Sequence, residues 1–477
     1  MKLNQVAMLA VSRLGLPVPM AKLTTIHAIA RALDDEATAA PFEEALAEWV
    51  SSRELESECL EGICPLVVAT RGRDVADRIR HAIARPSIAS DLLLSVSTGS
   101  PILVSAWSGC HSNPVPKFLD VHEEERELRS GAFVPPLFAH RLEELERRLG
   151  RPFVRQWAFE YSILASRCGE HGDGHLDYFF GSDRELVGQF VARRGHIARS
   201  AYLRTLACAV EHWDLPEPVA RRYSTAATPA EPIFLQLAPQ PAPTWANVVQ
   251  QRTAEEAADG PRLAQTVIHV LEHELRRKLM HCSLAVVDEP GCHVQLEVFS
   301  VAAPAAHLDI PGAVNFHAYL LGKAFPGRDG IRAFVSQDMG HDCWDALGFV
   351  PVLLPLIGSM VGYLQADLLG IVPYVPAATE SFADLETVPS TSGAVLRSQG
   401  RDVGAWDWWL WNWKPGHPRD WHPPNACCTS LVHDAAEQMA HDLGGALAHV
   451  WRLTTWRRER SYGEWTVSSE LGLHSNL

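Results

Sequence analysis

Hydrophobic residues between positions 1 and about 95 recur at intervals of three and four, the spacing that lines one face of an α-helix. Two series follow each other closely: Leu23, Ile26, Ile29, Ala30 and Leu33, then Phe42, Leu46, Trp49 and Val50. Amphipathic helices this close in sequence bury their apolar faces by packing on one another. A helical N-terminal region is therefore predicted, with one of its helices ending at Pro65.

Short apolar runs bounded by turn residues predict strands farther along the chain. The predicted strands are Leu92–Val96, Ile102–Trp107, Phe153–Ile163 and Leu176–Phe180. The segments Cys282–Val287 and Val294–Val301 are predicted to form a hairpin, because Glu289, Pro290 and Gly291 between them favour a turn.

Helical spacing returns in four later segments. The predicted helices cover residues 138–149, Glu185–Trp213, residues 253–280 and Thr429–Val450, the last followed by a further hairpin. Gly150 stands where the first of them is expected to end.

Helices and strands mix without the regular alternation of a parallel sheet, so the predicted fold class is α+β. The prediction comprises a helical N-terminal region, a mixed α/β middle and a Trp-rich C-terminal α+β region. A chain of 477 residues has room for about three domains. The predicted regions are 1–107 (mainly helical), 117–224 (α+β), 246–376 (α+β) and 394–477 (Trp-rich).

Charge and cysteine content limit the partners and the cellular compartment that can be predicted for the chain. The chain has 42 Lys and Arg against 57 Asp and Glu, a net charge of −15 that repels nucleic acid and anionic membranes at long range. Its ten cysteines are scattered without a CxxC pair, which is typical of a reducing compartment, so a cytoplasmic location is predicted. The longest apolar stretch, Phe349–Leu364, is broken by prolines and too short for a membrane span, so no membrane partner is expected.

The sharpest motif is the H-x-x-E-H sequence from His269 to His273, on a predicted helix. Histidines four apart share one helix face and can hold one metal ion, and Glu272 can activate a metal-bound water. These five residues resemble the inverzincin metallopeptidase motif, which implies a zinc-dependent hydrolase with a third ligand from a downstream glutamate. Glu297 is the candidate for that ligand. The alternative is an ordinary solvated helix face, because charged residues surround the motif.

A second metal candidate lies in the Gly-rich segment from Cys168 to Asp177. Its residues His171, Asp173 and His175 alternate, so they point the same way in an extended chain and can bind zinc or another divalent ion. The alternative is a polar surface hairpin with Asp-Gly turns.

Tryptophans cluster in the C-terminal region. Trp409, Trp411 and Trp413 alternate as on one face of a strand, and Trp456 and Arg457 belong to a later segment that mixes Trp with Arg. Such residues anchor protein partners or grip single-stranded nucleic acid. The alternative is that the rings fill a core.

A basic run precedes these features. Arg193, Arg194, Arg199 and Arg204 lie on one predicted helix with His196, and they either contact phosphate or form a salt-bridged face.

Complete catalytic signatures are lacking, since the sequence has no Walker A loop, no dinucleotide-binding G-x-G-x-x-G after a strand and no G-x-S-x-G elbow. The leading hypothesis is a non-catalytic binding or scaffold subunit of a bacterial intracellular multi-protein system, with antiphage defence as one such setting and a protein as its partner. The alternatives are the zinc-dependent hydrolase and a single-stranded nucleic-acid binder that uses the C-terminal Trp and Arg residues.

Overall fold

The computed structural model describes about two thirds of the chain. The described residues are 2–16, 19–100, 107, 113–130, 136–169, 193–229, 235, 242–246, 260–289, 291–303, 350–351, 353–355, 374–376, 382, 385–390, 392–410, 425–460 and 463–475. The chain divides into two compact units, one containing residues 1–236 and the other most of residues 237–477. The predicted regions 1–107 and 117–224 lie in the N-terminal unit, and 394–477 and most of 246–376 lie in the C-terminal unit.

The N-terminal unit is built from helices. They are α1 (Leu3–Ser12), α2 (Pro19–Asp34), α3 (Ala39–Ser51), α4 (Glu56–Val68), α5 (Gly72–Ala82), α6 (Ile88–Thr98), α7 (His122–Ser130), α8 (Pro136–Leu149), α9 (Phe153–Cys168), α10 (Arg193–His212) and α11 (Glu217–Ser224). The faces predicted from residue spacing are the buried ones, as Ile29 and Leu33 of α2 and Leu46 and Val50 of α3 show. The helical N-terminal region is confirmed.

The strand predicted at Leu92–Val96 is wrong, because these residues lie in α6. Ser87 begins this helix by accepting a hydrogen bond from the Ser90 N–H at 3.1 Å, and Gly99 ends it with a φ of 62°. A short apolar run without polar alternation fits a buried helix as well as a buried strand.

The strand predicted at Phe153–Ile163 is also wrong, because α9 contains it. Pro65 does not end a helix either, since it lies inside α4, which continues to Val68. Buried packing holds that turn together although proline supplies no N–H. The strand predicted at Leu176–Phe180 and most of Ile102–Trp107 lie outside the described residues.

In the described part of the C-terminal unit, two helices combine with β-strands. The elements are α12 (Gly260–Leu275), β1 (Lys278–Glu289), β2 (Cys292–Ala303), β3 (Val350–Pro351), β4 (Leu353–Pro355), β5 (Tyr374–Pro376), β6 (Glu386–Ser390), β7 (Gly393–Ser398), β8 (Arg401–Leu410), β9 (Asn425–Leu431), α13 (His433–Asp442), β10 (Ala446–Arg457) and β11 (Thr466–Ser475). The main sheet is antiparallel, with the order β11-β10-β2-β1-β9-β8-β7-β6 and with β3 paired to β2. β4 and β5 form a separate pair.

The hairpin predicted around Gly291 is confirmed as β1–β2, and Gly291 has the positive φ, 85°, that the turn requires. The helix predicted over Thr429–Val450 is wrong at both ends. Its first residues belong to β9, its last to β10, and α13 covers only the middle. β9 and β10 are strands because they pair with β1 and β2, which lie far earlier in the chain. The hairpin predicted after this helix is confirmed as β10–β11.

A helix packs on each face of the sheet. α12 packs through Val267 and Leu271 on one face, and α13 packs through Met439 on the other. Side chains alternate between the two faces along each strand, so both faces bury apolar residues. The α+β fold class is confirmed. Among the helices of the described ranges, none combines the length and apolarity needed to cross a bilayer.

Candidate functional site

Two exposed histidines lie on α12, which carries the H-x-x-E-H motif. His269 and His273 both face solvent, and their ring centroids are 6.3 Å apart, about one helical turn. His273 Nδ1 lies 3.7 Å from Glu274 Oε1. The structure therefore brings the two predicted metal ligands together on the outer side of the helix.

Glu272, the predicted general base, contacts the sheet instead. Its carboxylate accepts hydrogen bonds from Lys278 Nζ and from the Leu279 N–H, each at 3.3 Å, and lies 3.5 Å from His449 Nε2. Burial raises the pKa of Glu272, but the hydrogen bond from His449, the charge of Lys278 and the Leu279 N–H outweigh it and hold this pKa below 4.5. Glu272 fixes the connection between α12 and β1.

A serine extends this contact into the sheet. Ser300 Oγ lies 2.9 Å from His449 Nδ1 and donates to the Leu279 carbonyl at 2.6 Å. Ser300 and His449 are opposite each other on β2 and β10, and both are buried. The chain Ser300–His449–Glu272 links one helix to three strands. Sequence spacing gives no signal for it, since its members are far apart along the chain.

The third predicted zinc ligand lies elsewhere. Glu297 alternates with Leu296 and Val298, which pack in the core beneath α12, so it faces the other side of the sheet and pairs with Arg452. Across the described ranges, no group of three or more His, Cys, Asp or Glu side chains is arranged to hold a metal ion. The second predicted cluster, His171, Asp173 and His175, lies outside the described residues.

A buried ionic cluster joins α2, α4 and α10 in the N-terminal unit. Lys22 and Glu61 form an ion pair whose side chains are 2% and 4% exposed. His196 Nε2 lies 3.6 Å from Glu61 Oε1, and His196 Nδ1 lies 2.9 Å from Ser57 Oγ. The guanidinium of Arg199 lies 3.4 Å from the same Nδ1. A second Ser–His–Glu chain therefore occurs in this unit.

Electrostatics keep His196 neutral. Burial lowers its pKa well below 6.5, and the positive charges of Arg199, Lys22 and Arg193 lower it further. Burial also lowers the pKa of Lys22, although Glu61 opposes this. The sequence predicted either a phosphate contact or a salt-bridged face for this basic run.

The structure shows salt bridges for two arginines of that run. Arg193 pairs with Glu54 at 2.7 Å and Glu58 at 2.6 Å, and Arg204 pairs with Glu56 at 2.7 Å. These carboxylates on or just before α4 could not be assigned as partners from sequence, because the helices meet only in the fold.

Trp409 does not fit the partner-binding role predicted for it. It is 1% exposed in the core beneath α12, where its ring packs edge-on against Trp245 with centroids 5.1 Å apart. The burial of large aromatic rings explains this placement. Trp411 and Trp413 lie outside the described residues.

Trp456 and Arg457 remain at the surface, with two residues that extend the set. We name Trp456, Arg457, Arg458 and Trp465 the Trp–Arg rim. They occupy the end of β10 and the segment before β11. Arg457 is exposed, and the other three are half-buried.

The rim is held in place by its own contacts. The rings of Trp465 and His293 pack with their centroids 4.9 Å apart. The guanidinium of Arg458 lies 4.6 Å from the centroid of the Trp465 ring. The Arg458 N–H donates to the Gly291 carbonyl at 2.9 Å, which ties the rim to the β1–β2 turn. Aromatic and guanidinium groups are thus fixed at one end of the sheet while remaining partly open to solvent.

Comparison with known proteins gives no further assignment, since no family model matches the chain and no curated protein matches it in sequence.

Proposed function

We propose that the chain is a non-catalytic subunit that binds another protein through the Trp–Arg rim. The observation that carries this proposal is the packing of Arg458 over Trp465 at a partly open surface. Trp and Arg are the side chains most enriched among residues that dominate the energy of protein interfaces.

Preorganisation supports the proposal. Trp465 is held between His293 and Arg458, and Arg458 is held by the Gly291 carbonyl. Side chains that are already ordered lose little conformational entropy when a partner covers them. The rim therefore has the fixed anchors that a specific interface needs.

Charge favours a protein over nucleic acid as the partner. The rim contributes two arginines to a chain with a net charge of −15. That net charge repels a polyanion at long range but leaves a single acidic protein patch free to approach Arg457 and Arg458. A bacterial intracellular system as the setting, and antiphage defence in particular, stay predictions.

Affinity purification at native expression level tests the proposal. We expect a stoichiometric protein partner with the wild type and its loss with the Trp456→Ala, Arg457→Ala double variant. Arg401→Ala, which removes an exposed arginine on β8, four strands away from β10 in the sheet order, is the matched control and should retain the partner.

Three outcomes would contradict this function: no stoichiometric partner, a partner that the double variant retains, or bound material that nuclease removes. The last result would support the nucleic-acid alternative, whose binding should also weaken steeply with salt.

A further inference from the structure

The strand β11 lies at one edge of the described sheet. Within the described chain it pairs only with β10, so its outer edge presents backbone N–H and C=O groups. All five residues from Thr466 to Glu470 are exposed, and Val467 is 52% exposed. The strand contains neither lysine nor proline, the residues with which edge strands commonly prevent pairing.

We propose that β11 pairs antiparallel with β11 of a second copy of this chain, centred on Ser468. Two-fold symmetry then places Thr466 opposite Glu470 of the second copy and Val467 opposite Ser469 of the second copy. The two sheets become one continuous sheet across the dimer.

Charge complementarity supports this register. Arg457 lies directly opposite Thr466 in the β10–β11 pair, so it shares a face with that threonine. In the dimer, the row across the sheet reads Arg457, Thr466 and Glu470 of the second copy. Arg457 and that glutamate are two strand spacings apart, about 10 Å between Cα atoms, with only a threonine between them. The symmetry produces this pair of opposite charges twice.

The other face brings no charged residues together. Val467 lies between Trp456 on β10 and Ser469 of the second copy, so its exposed surface becomes partly covered. Ser468 meets only its own symmetry mate. The register therefore brings no pair of like charges into direct opposition, a condition that stable strand pairing needs.

Sedimentation velocity of the full chain at low salt tests the dimer, over concentrations from about 1 µM to about 100 µM, the range in which small interfaces associate. We expect the wild type to dimerise in this range. Arg457→Glu and Glu470→Arg should each weaken the dimer about tenfold, and the double exchange should restore it to within about threefold.

Ser468→Lys provides a second, independent variant, because it places two lysines beside the symmetry axis without changing the charged pair. It is needed because Glu470 also lies against Gly260 at the start of α12, so its replacement can disturb that helix. Ser51→Lys, an equal charge change at an exposed site in the N-terminal unit, should leave the dimer intact.

A wild type that stays monomeric, dimers unaffected by Ser468→Lys, or a double exchange weaker than both single variants would overturn the proposal. A monomeric wild type would not contradict the proposed partner binding at the Trp–Arg rim, because affinity purification detects a different protein bound to the chain.

Discussion

Each of the two units contains a serine, a histidine and a glutamate in contact with one another, but the surroundings of the two clusters differ. In the N-terminal unit, Ser57, His196 and Glu61 are all buried, and Lys22 shares the same carboxylate. In the C-terminal unit, Ser300 and His449 are buried, but the side chain of Glu272 is 16% exposed.

The difference shows what the surrounding charges do to a Ser–His–Glu chain. Arg199 and Lys22 oppose a proton on His196, whereas in the second chain the cation of Lys278 contacts the carboxylate of Glu272. In both chains the residues join elements of the fold: α4 to α10 in the first, α12 to the sheet in the second. Identical residue types therefore indicate structural connections here, and their environment decides how strongly each responds to mutation and pH.

The largest expected effect is at Glu61. Glu61→Ala leaves Lys22 buried without its counter-ion, and we expect the free energy of unfolding to fall by about 3–5 kcal/mol. Chemical denaturation measures this loss. The Lys22→Met, Glu61→Leu double variant, which removes both charges, should lose much less. Equal losses in the two variants would mean that the lost ion pair does not explain the effect.

The second effect is expected on acidification, which should lower the stability contributed by the same cluster. Because the pKa of His196 is lowered in the fold, the unfolded chain binds a proton near pH 6.5 and the folded chain does not. The contribution of neutral His196 to the free energy of unfolding is therefore complete above pH 6.5. Below that pH it falls by up to about 1.4 kcal/mol per pH unit until the pKa of the folded state is reached. Thermal unfolding at about pH 7 and about pH 5.5 measures this slope. His196→Gln should flatten it, and an unchanged slope would assign the effect to other groups.

A smaller effect than that of Glu61→Ala is expected at Glu272. Glu272→Gln replaces the carboxylate that accepts hydrogen bonds from Lys278 and from the Leu279 N–H with a neutral amide. We expect the free energy of unfolding to fall by about 1–2 kcal/mol at neutral pH. The lowered pKa of this group gives the sign of its pH dependence: its contribution is present above pH 4.5 and is lost as the pH falls through the folded value. Denaturant titration at neutral and acidic pH tests both parts. A loss as large as that of Glu61→Ala would remove the distinction between the two units.

The smallest effect is expected at the exposed histidines. The His269→Ala, His273→Ala double variant should change stability by less than about 0.5 kcal/mol, because neither ring is buried. Elemental analysis of the wild type and this variant tests the zinc hypothesis in the same samples. Equal zinc contents in both would contradict it.

Residue spacing predicted the parts of the fold that depend on local contacts. Apolar residues at helical intervals identified α2 and α3, and Gly291 identified the β1–β2 turn. Spacing failed at β9 and β10, where pairing with β1 and β2 overrides the helical pattern. The α6 error has a different cause, because a short apolar run without polar alternation fits a helix as well as a strand.

The candidate site was predictable only in part. Trp456 and Arg457 stand out in the sequence and lie at the surface, but Trp409 stands out equally and lies in the core. Exposure depends on which elements cover a ring, and Trp245 comes from a distant segment. No sequence pattern pointed to His449, because its contacts with Ser300 and Glu272 arise only in the fold.

The strand order has a consequence for biosynthesis. The hairpin β1–β2 is flanked by β9 and β10, which leave the ribosome only after a long intervening stretch of chain. Helices that are neighbours in sequence, such as α1, α2 and α3, contact one another and can form as they emerge, whereas the hairpin must wait for β9 and β10. During that interval the nascent chain is most exposed to aggregation, so we expect it to depend on chaperones until β9 and β10 have been translated.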